Sequence, residues 1–543
     1  MYSAKASANQ LASMMLAHDV LHVVVSPGSR NAPLVHNFSE LAAAGKMHVW
    51  PVTDERCAAF VAIGLYLATR RPAAVCVTSG SALLNTLPAV AEAYYRHAPL
   101  LVISADRPPQ DIGQLKGQTI PQQGALLPYS PTWQLPEEGG TICAELCDEA
   151  LRALSKSGGR PVHINLPFSE PLHVYDTVQL PISSHINPMP CEQLEPIAAN
   201  VMKLLVDAEF PAIFVGQMDF PPENLLRAIE QKHNFLVLSE VIGSSVTQTM
   251  RSYHQQNTDF ENYTPDVIVH IGGAGIDKDY SWLVRHENAV VIRVEEDENA
   301  APDMFGRLHA VVRGTTENVL KQLLTLPPKP QVECFFNLLV RSGLCCVKDG
   351  FAKSATPSFS QKWMRPISAL LDVLRQQDVA VHVGNSSVLR YFRLGHLAPP
   401  HLLCNRGVNG IDGSLSVAAG HSLATDKNVF CMLGDLSFFY DCNALWNERL
   451  RGNLRILLLN DHGGDIFNRV KGLENTPALP LVAGRHTATA EGICRSYGVD
   501  YIALNMTNIA ENESVETSLR DVIDLLTAPP DARLCPLVVE CFI

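Results

Sequence analysis

The sequence feature that most restricts the fold of this chain is a pair of polar clusters, each directly after a short apolar run. The apolar run 429–433 stops at GDLS (434–437), and the run 456–459 stops at NDHGG (460–464). The residues between them have the pattern of a helix, so 427–467 is predicted to be a βαβ unit with both clusters at the carboxyl ends of neighbouring parallel strands. A carboxylate in each cluster, beside glycines that allow close approach of the backbone, suits a hard divalent cation that carries a phosphate.

The same alternation of apolar runs and helical segments extends along all 543 residues, a length that predicts several domains. Further strands are predicted at 21–25, 73–77, 100–104, 162–166, 212–215, 235–238, 267–271, 290–294, 379–383, 402–404 and 537–541. Most of these runs end at small, polar or basic residues, as is typical of doubly wound sheets that bind ligands at the strand ends. The chain is therefore predicted to be an α/β protein with three doubly wound parallel-sheet domains, at residues 1–184, 185–355 and 356–543.

A glycine-rich turn in the middle domain, GGAG at 272–275, follows a predicted strand as dinucleotide-binding turns do. Its spacing matches Gly-x-Gly-x-x-Gly poorly. We therefore predict a tight turn at this position and no dinucleotide.

The charge and the cysteines argue against several classes of function. A formal net charge of −13 argues against nucleic acid and anionic membranes as partners. Fourteen cysteines are scattered without a Cys-x-x-Cys pair, which favours free thiols in a reducing compartment over zinc or disulfide frameworks. No apolar run is long enough to span a membrane, and the N-terminus lacks the layout of a signal peptide, so the protein is predicted to be cytoplasmic.

The clusters at 434–437 and 460–464 resemble the thiamine diphosphate signature, in which Gly-Asp-Gly precedes Asn-Asn by about the length of a βαβ unit. Further motifs extend the resemblance: SPGSRNAPL (26–34), TDER (53–56), TSGSALLN (78–85), EAYYRHAPLLVISADRPP (92–109), GQTIPQ (117–122), GNSSVLR (384–390), NRGVNGIDG (405–413) and GGDIF (463–467). Together they resemble the family of 2-succinyl-5-enolpyruvyl-6-hydroxy-3-cyclohexene-1-carboxylate synthases of menaquinone biosynthesis. The resemblance covers the first and third predicted domains and is weak across the middle one.

The resemblance implies three domains of the thiamine diphosphate enzyme type, of which the first binds the pyrimidine ring and the third the diphosphate. It also implies a transferase reaction in which 2-oxoglutarate loses carbon dioxide on the cofactor and the succinyl-semialdehyde carbanion adds to isochorismate in a 1,4 fashion. In this family the cofactor lies between domains of different subunits. The resemblance therefore implies a homodimer or a dimer of dimers.

Glu55 matches the family glutamate that bonds the aminopyrimidine ring, and protonation of that ring promotes removal of the thiazolium proton. Taken alone, Glu55 is equally a first-turn glutamate that stabilises a helix dipole. Ile411 matches the bulky residue that bends the cofactor. The other implied cofactor contacts are Asn385, Ser386, Gly434, Asp435, Leu436 and Ser437.

The resemblance implies a Mg²⁺ or Mn²⁺ ion held by the side chains of Asp435 and Asp461 and by the carbonyl of Gly463. The family usually has Asn at the position of Asp461, but an aspartate still offers oxygen to a hard ion. A metal held by His462 instead would favour manganese. We expect Asp461 to be the ligand.

The two implied substrates carry several carboxylates and no positive charge, and guanidinium groups bind carboxylates bidentately. Arginines 30, 107, 390 and 406 lie at predicted strand ends or just beyond them, although each taken singly is equally a solvated surface charge. The implied substrate-binding residues are Ser29, Arg30, Arg107, Gln118, Lys278, Arg390, Arg406, Ile466 and Phe467. Asp279 stands where the family often has arginine, which weakens the case for substrate contacts from the middle domain.

Two alternatives stay open from the sequence. One is another thiamine diphosphate-dependent decarboxylase or carboligase of 2-oxo acids, although the four arginines argue against small neutral acceptors. The other is a degenerate paralogue without turnover, suggested by the departures at Asp461 and Asp279. Retention of Glu55 and Asp435 argues against that reading.

Overall fold

The computed structural model describes residues 1–156, 158–182, 196–244, 264–276, 280–341, 361–375, 377–395, 401–506 and 513–543. Across these ranges the strands form three sheets, of six, five and six strands, and helices alternate with the strands along the chain. The strands pair in parallel within each sheet. The predicted α/β class with three parallel sheets is therefore confirmed.

The first sheet has the strand order β2-β1-β3-β4-β6-β5. Its strands are β1 (His22–Val25), β2 (His48–Pro51), β3 (Ala73–Val77), β4 (Leu100–Asp106), β5 (Thr132–Gln134) and β6 (Val162–Pro167). The helices around it are α1 (Ala6–Ala17), α2 (Ala32–Ala43), α3 (Glu55–Thr69), α4 (Ser81–Asn85), α5 (Leu87–Arg96) and α6 (Thr141–Ser155). Every residue of β3 and β4 is buried, because central parallel strands are covered by helices on both faces.

The middle sheet has the order β11-β10-β9-β7-β8. Its strands are β7 (Ala212–Val215), β8 (Leu236–Ser239), β9 (Val267–Ile271), β10 (Val290–Glu295) and β11 (Leu308–Arg313), and its helices are α7 (Ala199–Asp207), α8 (Glu223–Lys232), α9 (Thr316–Leu323) and α10 (Pro330–Arg341). The turn after β9 is tight, as predicted: Gly272 has a left-handed φ of +75°, and its carbonyl accepts a hydrogen bond from Arg293.

The third sheet has the order β13-β12-β14-β15-β17-β16. Its strands are β12 (Ala380–Val383), β13 (His401–Cys404), β14 (Val429–Gly434), β15 (Leu454–Asn460), β16 (Asp500–Asn505) and β17 (Leu537–Phe542). The helices in this part of the chain are α11 (Gln361–Leu374), α12 (Ser387–Gly395), α13 (Ser414–Leu423), α14 (Asp435–Asp441), α15 (Leu479–Val482), α16 (Glu491–Tyr497) and α17 (Glu513–Thr527). The predicted βαβ unit is present, because β14 and β15 pair in parallel around α14.

Packing divides the chain into two units. The larger contains residues 1–190, 379–388 and 407–543, and the smaller contains 191–378 and 389–406. Both predicted domain boundaries, at 184 and 355, lie outside the described residues, so the three-domain division stays a prediction. No helix in the described ranges is both long and apolar enough to cross a membrane.

Within the larger unit, α3 and α13 cross at very close range. A Cβ built on Gly64 of α3 would lie 2.1 Å from the carbonyl oxygen of Val417, and one built on Gly420 of α13 would lie 2.1 Å from that of Val61. Neither position has room for a side chain, so the two glycines allow the helix backbones to touch. The crossing joins the helix that begins at Glu55 to the third sheet's helical layer.

Candidate functional site

The carboxyl ends of β12, β14 and β15 lie side by side, because these three strands are neighbours in the third sheet. They place Asn385, Asp435 and Asp461 just beyond adjacent strand ends. The residues that were predicted to bind a diphosphate and its metal are therefore gathered at one edge of the sheet, where open α/β sheets bind ligands.

Asp435, the first residue of α14, is buried, with 2% of its surface exposed. Its Oδ1 accepts the N–H of Leu436 at 2.6 Å, and its Oδ2 accepts the N–H of Gly463 at 2.9 Å. Burial raises the pKa of this carboxyl, while the two N–H groups and the nearby His486 oppose the rise. The contact with Gly463 connects the two polar clusters through the Asp435 side chain.

Asp461, the first residue after β15, carries a polar atom without a partner. Its Oδ1 is shielded from solvent and makes no hydrogen bond. The pKa of Asp461 is raised to about 7, chiefly by burial and then by the carboxylates of Asp435 and Asp465. A divalent cation at this position would satisfy Oδ1 and remove the repulsion between the carboxylates.

These observations fit the predicted metal site, in which the protein supplies only part of the ligand set. In the described part of the chain, no group of three or more His, Cys, Asp or Glu side chains is arranged to hold a metal ion. The remaining ligands would therefore be a backbone carbonyl, diphosphate oxygens and water, which a hard cation accepts. The ring of His462 stacks on Phe542, with 5.9 Å between ring centroids. Ligation of the metal by Asp461 in preference to His462 stays a prediction.

A loop at 405–413 carries Ile411 and is held by two side chains of the larger unit. The buried Glu92 accepts the N–H groups of Gly407 and Val408 at 3.0 and 2.9 Å. Asn385 donates from Nδ2 to the carbonyl of Gly410 at 2.8 Å. Ile411 itself is 40% exposed, so this loop presents an apolar side chain to solvent next to a predicted diphosphate contact.

The other predicted cofactor residues lie directly around these strand ends. Ser386 has a left-handed φ of +69° between β12 and α12, Gly434 ends β14, and Ser437 is buried in the first turn of α14. Leu436 contributes its backbone N–H to Asp435. Their placement agrees with the prediction, but a contact with a cofactor stays a prediction.

Glu55 is the first residue of α3 and is partly exposed. Its Oε2 accepts a hydrogen bond from Nδ2 of Asn85 at 3.3 Å. Asp54 caps the helix by accepting the N–H groups of Arg56 and Cys57. The side-chain cap belongs to Asp54, and Glu55 is the acidic residue of the first helical turn, where it also lies at the positive end of the helix dipole.

The helix end that carries Glu55 is fastened to the far end of α14. Asn443 donates to Asp54 at 2.9 Å, and the guanidinium of Arg56 donates to the carbonyl of Tyr440 at 2.6 Å. Arg56 also lies over the Tyr440 ring, 4.5 Å from its centroid. Asp435 begins α14 and these contacts fix its other end, so the two predicted key carboxylates lie on helices that are tied together.

The first sheet gathers a second set of predicted residues. Ser29 follows β1, and Arg107 follows β4, two strands that flank β3. Gln118 is exposed and has a φ of +56°, and its backbone packs against Gly80 just beyond β3. The Nε of Arg107 is buried without a hydrogen-bond partner.

Arg30, another predicted substrate residue, is buried and engaged within its own sheet. Its guanidinium donates to the carbonyl of Phe168 at 2.8 Å and pairs with Glu170 at 3.0 Å. Glu170 is 67% exposed at its side chain. The predicted substrate contact of Arg30 stays a prediction.

The remaining predicted residues lie in other parts of the structure. Ile466 and Phe467 are partly buried in the turn that follows GG at 463–464. Arg390 lies on α12, and Arg406 donates to the carbonyl of Gly275, both within the smaller unit. Lys278 and Asp279 lie outside the described residues, so the predicted contact of Lys278 stays a prediction.

Sequence reasoning assigned no role to three residues that contact the predicted site. They are His486, whose Nε2 lies 3.2 Å from Asp435, Glu92, and Asn85. Glu92 and Asn85 lie inside motifs of the family resemblance, which is the signal that could have found them. His486 lies in no such motif.

Comparison with known proteins bears directly on this site. Residues 6–126 match the family described as thiamine pyrophosphate enzyme, N-terminal TPP binding domain. A protein from Bacteroides thetaiotaomicron named 2-succinyl-5-enolpyruvyl-6-hydroxy-3-cyclohexene-1-carboxylate synthase is 36% identical over 100% of this chain and 96% of its own length.

Two further relatives carry the same name. The protein from Desulfotalea psychrophila is 34% identical over 92% of this chain and 93% of its own length. The protein from Cytophaga hutchinsonii is 31% identical over 93% of this chain and 92% of its own length. Such coverage includes the predicted middle domain, where the motifs were weak. The chain belongs to the family of 2-succinyl-5-enolpyruvyl-6-hydroxy-3-cyclohexene-1-carboxylate synthases, which are thiamine diphosphate enzymes.

Proposed function

We propose that this protein decarboxylates 2-oxoglutarate and joins the remaining four-carbon unit to isochorismate, giving 2-succinyl-5-enolpyruvyl-6-hydroxy-3-cyclohexene-1-carboxylate in menaquinone biosynthesis. The shared name of relatives along the full chain supports this reaction. The structural observation that supports this reaction most directly is the buried Oδ1 of Asp461, which has no hydrogen-bond partner. The Asp461 carboxyl also interacts electrostatically with the carboxylate of Asp435. A pair of carboxylates fits a metal-bound diphosphate, because Mg²⁺ is usually held by one or two carboxylates together with phosphate oxygens.

The residues at the strand ends fit thiamine diphosphate and its metal. When bound, this cofactor supplies a carbon nucleophile and an electron sink for a 2-oxo acid. Asp435 and Asp461 would hold Mg²⁺ or Mn²⁺ with side-chain oxygens, and Gly463 would add its carbonyl. Asn385, Ser386 and the backbone of 434–437 would bind the diphosphate, while Ile411 would support the bent shape of the cofactor.

Glu55 is the proposed catalytic residue. Its carboxyl would hold a proton at a pyrimidine nitrogen and so promote removal of the proton at the reacting carbon. Asn85, which donates to Oε2, would orient the carboxyl. The contacts of Asp54 and Arg56 with Asn443 and Tyr440 support this role, because they fix the helix end that carries Glu55.

Arginines would bind the carboxylates of the two substrates. Arg107 has a buried Nε without a partner, and Arg30 is paired with an exposed glutamate that a substrate can replace. Ser29 and Gln118 would add hydrogen bonds from the same sheet edge, and Arg390 and Arg406 would add positive charge. Ile466 and Phe467 would form an apolar wall for the isochorismate ring.

The active assembly would be a homodimer or a dimer of dimers, with Glu55 of one subunit serving the strand-end site of the other. The segment 84–127 begins next to Asn85, the residue that donates a hydrogen bond to Glu55. It exposes the large apolar side chains of Leu84, Tyr95, Leu115 and Leu127. A second subunit would cover such side chains and remove their apolar surface from water. The cysteines in the described ranges are all free, which supports a place in the cytoplasm.

The decisive experiment follows carbon dioxide and product mass. Purified protein is incubated with thiamine diphosphate, Mg²⁺ and 2-oxoglutarate, with and without isochorismate, and pyruvate replaces 2-oxoglutarate in a control. We expect the adduct only with 2-oxoglutarate and isochorismate together. Equal turnover of pyruvate would indicate another 2-oxo acid enzyme, and no turnover with cofactor bound would indicate a non-catalytic paralogue.

A further inference from the structure

We propose that His486 is a positioning residue of the metal site: when the cation is bound, its imidazole donates Nε2–H to the carboxylate of Asp435 and holds that ligand toward the cation. This inference rests on the proposed function, because it concerns the same cofactor site. It adds a residue that lies far from every motif of the family resemblance.

The imidazole of His486 lies next to a proposed metal ligand, Asp435. Nε2 lies 3.2 Å from Oδ2 of Asp435, and the His486 side chain is only 19% exposed. Despite this short distance, Nε2 has no partner within hydrogen-bond geometry and is shielded from solvent. A buried donor beside a metal ligand is thus left unsatisfied, which is costly unless the bound state completes the bond.

Nδ1, the other ring nitrogen of His486, indicates which tautomer the imidazole adopts. Nδ1 accepts the backbone N–H of Ala488 at 3.1 Å, so it carries a lone pair. The ring N–H is then on Nε2, the nitrogen nearest to Asp435. A protonated nitrogen cannot ligate a metal, so His486 acts as a donor to the ligand and the metal keeps oxygen ligands.

The segment that carries His486 is anchored to the metal-binding loop. The N–H of His486 donates to the carbonyl of His462 at 3.2 Å, and Nδ2 of Asn460 donates to the carbonyl of Ala488 at 3.1 Å. The imidazole also packs edge-to-face on Phe439, with centroids 5.3 Å apart. The ring therefore has a fixed position relative to the β15 strand end.

The expected effect is on metal affinity. Donors in the second layer orient ligating carboxylates, and their loss typically weakens metal binding by about 10- to 100-fold. His486→Phe keeps the ring packing on Phe439 and removes the donor. His486→Gln retains an N–H that can reach the carboxylate.

The test titrates Mg²⁺ into full-length protein at a fixed excess of thiamine diphosphate and follows binding by calorimetry. H486F should raise the half-saturating Mg²⁺ concentration by about 10-fold or more, whereas H486Q should stay within about threefold of wild type. Thr487→Val, an exposed position in the same segment, is the matched control and should bind as wild type does. Turnover of H486F should recover at high Mg²⁺.

Each outcome decides between the two proposals. Absence of metal-dependent cofactor binding by wild type would refute the proposed function. Wild-type binding with an unchanged H486F would refute the role of His486 alone, as would equal losses in H486F, H486Q and T487V. Should H486F fail to fold, imidazole ¹⁵N NMR of the wild type with Mg²⁺ and cofactor decides: protonated Nε2 supports the proposal, and a metal-bound Nε2 overturns it.

Discussion

Burial sets the charge of several carboxylates in this chain, and not only at the candidate site. Glu230 on α8 is far along the chain from the polar clusters, yet burial raises its pKa to about 7, with the cation of Arg227 opposing the rise. The ordinary pKa of a glutamate is 4.5. The folded protein therefore holds this proton to a higher pH than the unfolded chain does.

Replacement of Glu230 by Gln should change the pH dependence of stability. The pKa of Glu230 is higher in the folded protein than in the unfolded chain, so the bound proton stabilises the fold. This stabilisation is complete below pH 4.5 and is lost as pH rises toward 7, where the buried carboxyl ionises. The middle domain, which contains Glu230, should melt at a higher temperature in E230Q than in wild type at pH 8, by roughly 2–4 °C for about 1 kcal/mol in a unit of about 150–250 residues, and at the same temperature at pH 4.5. Scanning calorimetry at both pH values measures this, with the exposed Glu298→Gln as control. A gain of equal size at both pH values would contradict the assignment.

Replacement of Glu55 by Gln should separate chemistry from binding. The amide still accepts the hydrogen bond from Asn85 but cannot hold the catalytic proton. We expect turnover to fall by about 10²- to 10⁴-fold, with thiamine diphosphate affinity within a few-fold of wild type. Steady-state kinetics and calorimetry measure the two quantities, and unchanged turnover would remove Glu55 from the mechanism.

At the scale of elements, the crossing of α3 and α13 determines how the predicted catalytic helix is held. Backbone carbonyls of Val61 and Val417 occupy the space where side chains of Gly420 and Gly64 would lie. Helices that approach this closely tolerate no added methyl group without separating. The position of Glu55 at the start of α3 then depends on this contact as well as on its own neighbours.

Gly420→Ala should therefore destabilise the protein by about 1–3 kcal/mol and lower turnover. Gly492→Ala is the matched control, because a Cβ built on Gly492 of α16 meets nothing within 4 Å. That substitution should be neutral or stabilising by up to about 1 kcal/mol, since alanine favours a helix. Urea unfolding compares the two variants. Equal stabilities would show that the helices can separate freely.

The central strands were predictable because each is a continuous apolar run, and β3, β7 and β9 agree with the prediction residue for residue. The apolar pattern missed β2, β5, β11 and β16, and each of these is an edge strand of its sheet. An edge strand is covered on fewer sides, so its residues are partly exposed and the apolar run is interrupted.

At the candidate site too, residues next to a strand end were predictable from the local sequence, whereas contacts between distant segments were not visible in it. Asp435 and Asp461 were predictable because each directly follows a strand. The role of His486 depends on its contact with Asp435, and that of Glu92 on its contact with the 405–413 loop. Contacts between residues so far apart in the sequence leave no trace in residue spacing. The family motif at 92–109 could still have indicated Glu92, whereas His486 is revealed only by the fold.

At the scale of the whole molecule, the proposed exchange of residues between subunits has a direct test. Glu55→Gln and Asp435→Ala homodimers should each be inactive. In a heterodimer of the two, one site receives both defects and the other receives none. Random pairing of equal amounts should therefore restore about a quarter of wild-type activity, and the isolated heterodimer should show about half.

Co-expression of two differently tagged chains, followed by purification through both tags, isolates the heterodimer for this measurement. Two tags on wild-type chains provide the control for loss during purification. If both carboxylates of a site came from one chain, every site in the heterodimer would carry a defect, and no activity would return.

The water-facing Ile411 has a calorimetric consequence. The loop that carries it is fixed by Glu92 and Asn385, so the methyl groups stay in contact with solvent until a ring covers them. Covering apolar surface lowers the heat capacity, so the enthalpy of thiamine diphosphate association should become more negative as temperature rises. Ile411→Ala should flatten that slope. A temperature-independent enthalpy in the wild type would mean that Ile411 stays exposed to solvent after thiamine diphosphate binds.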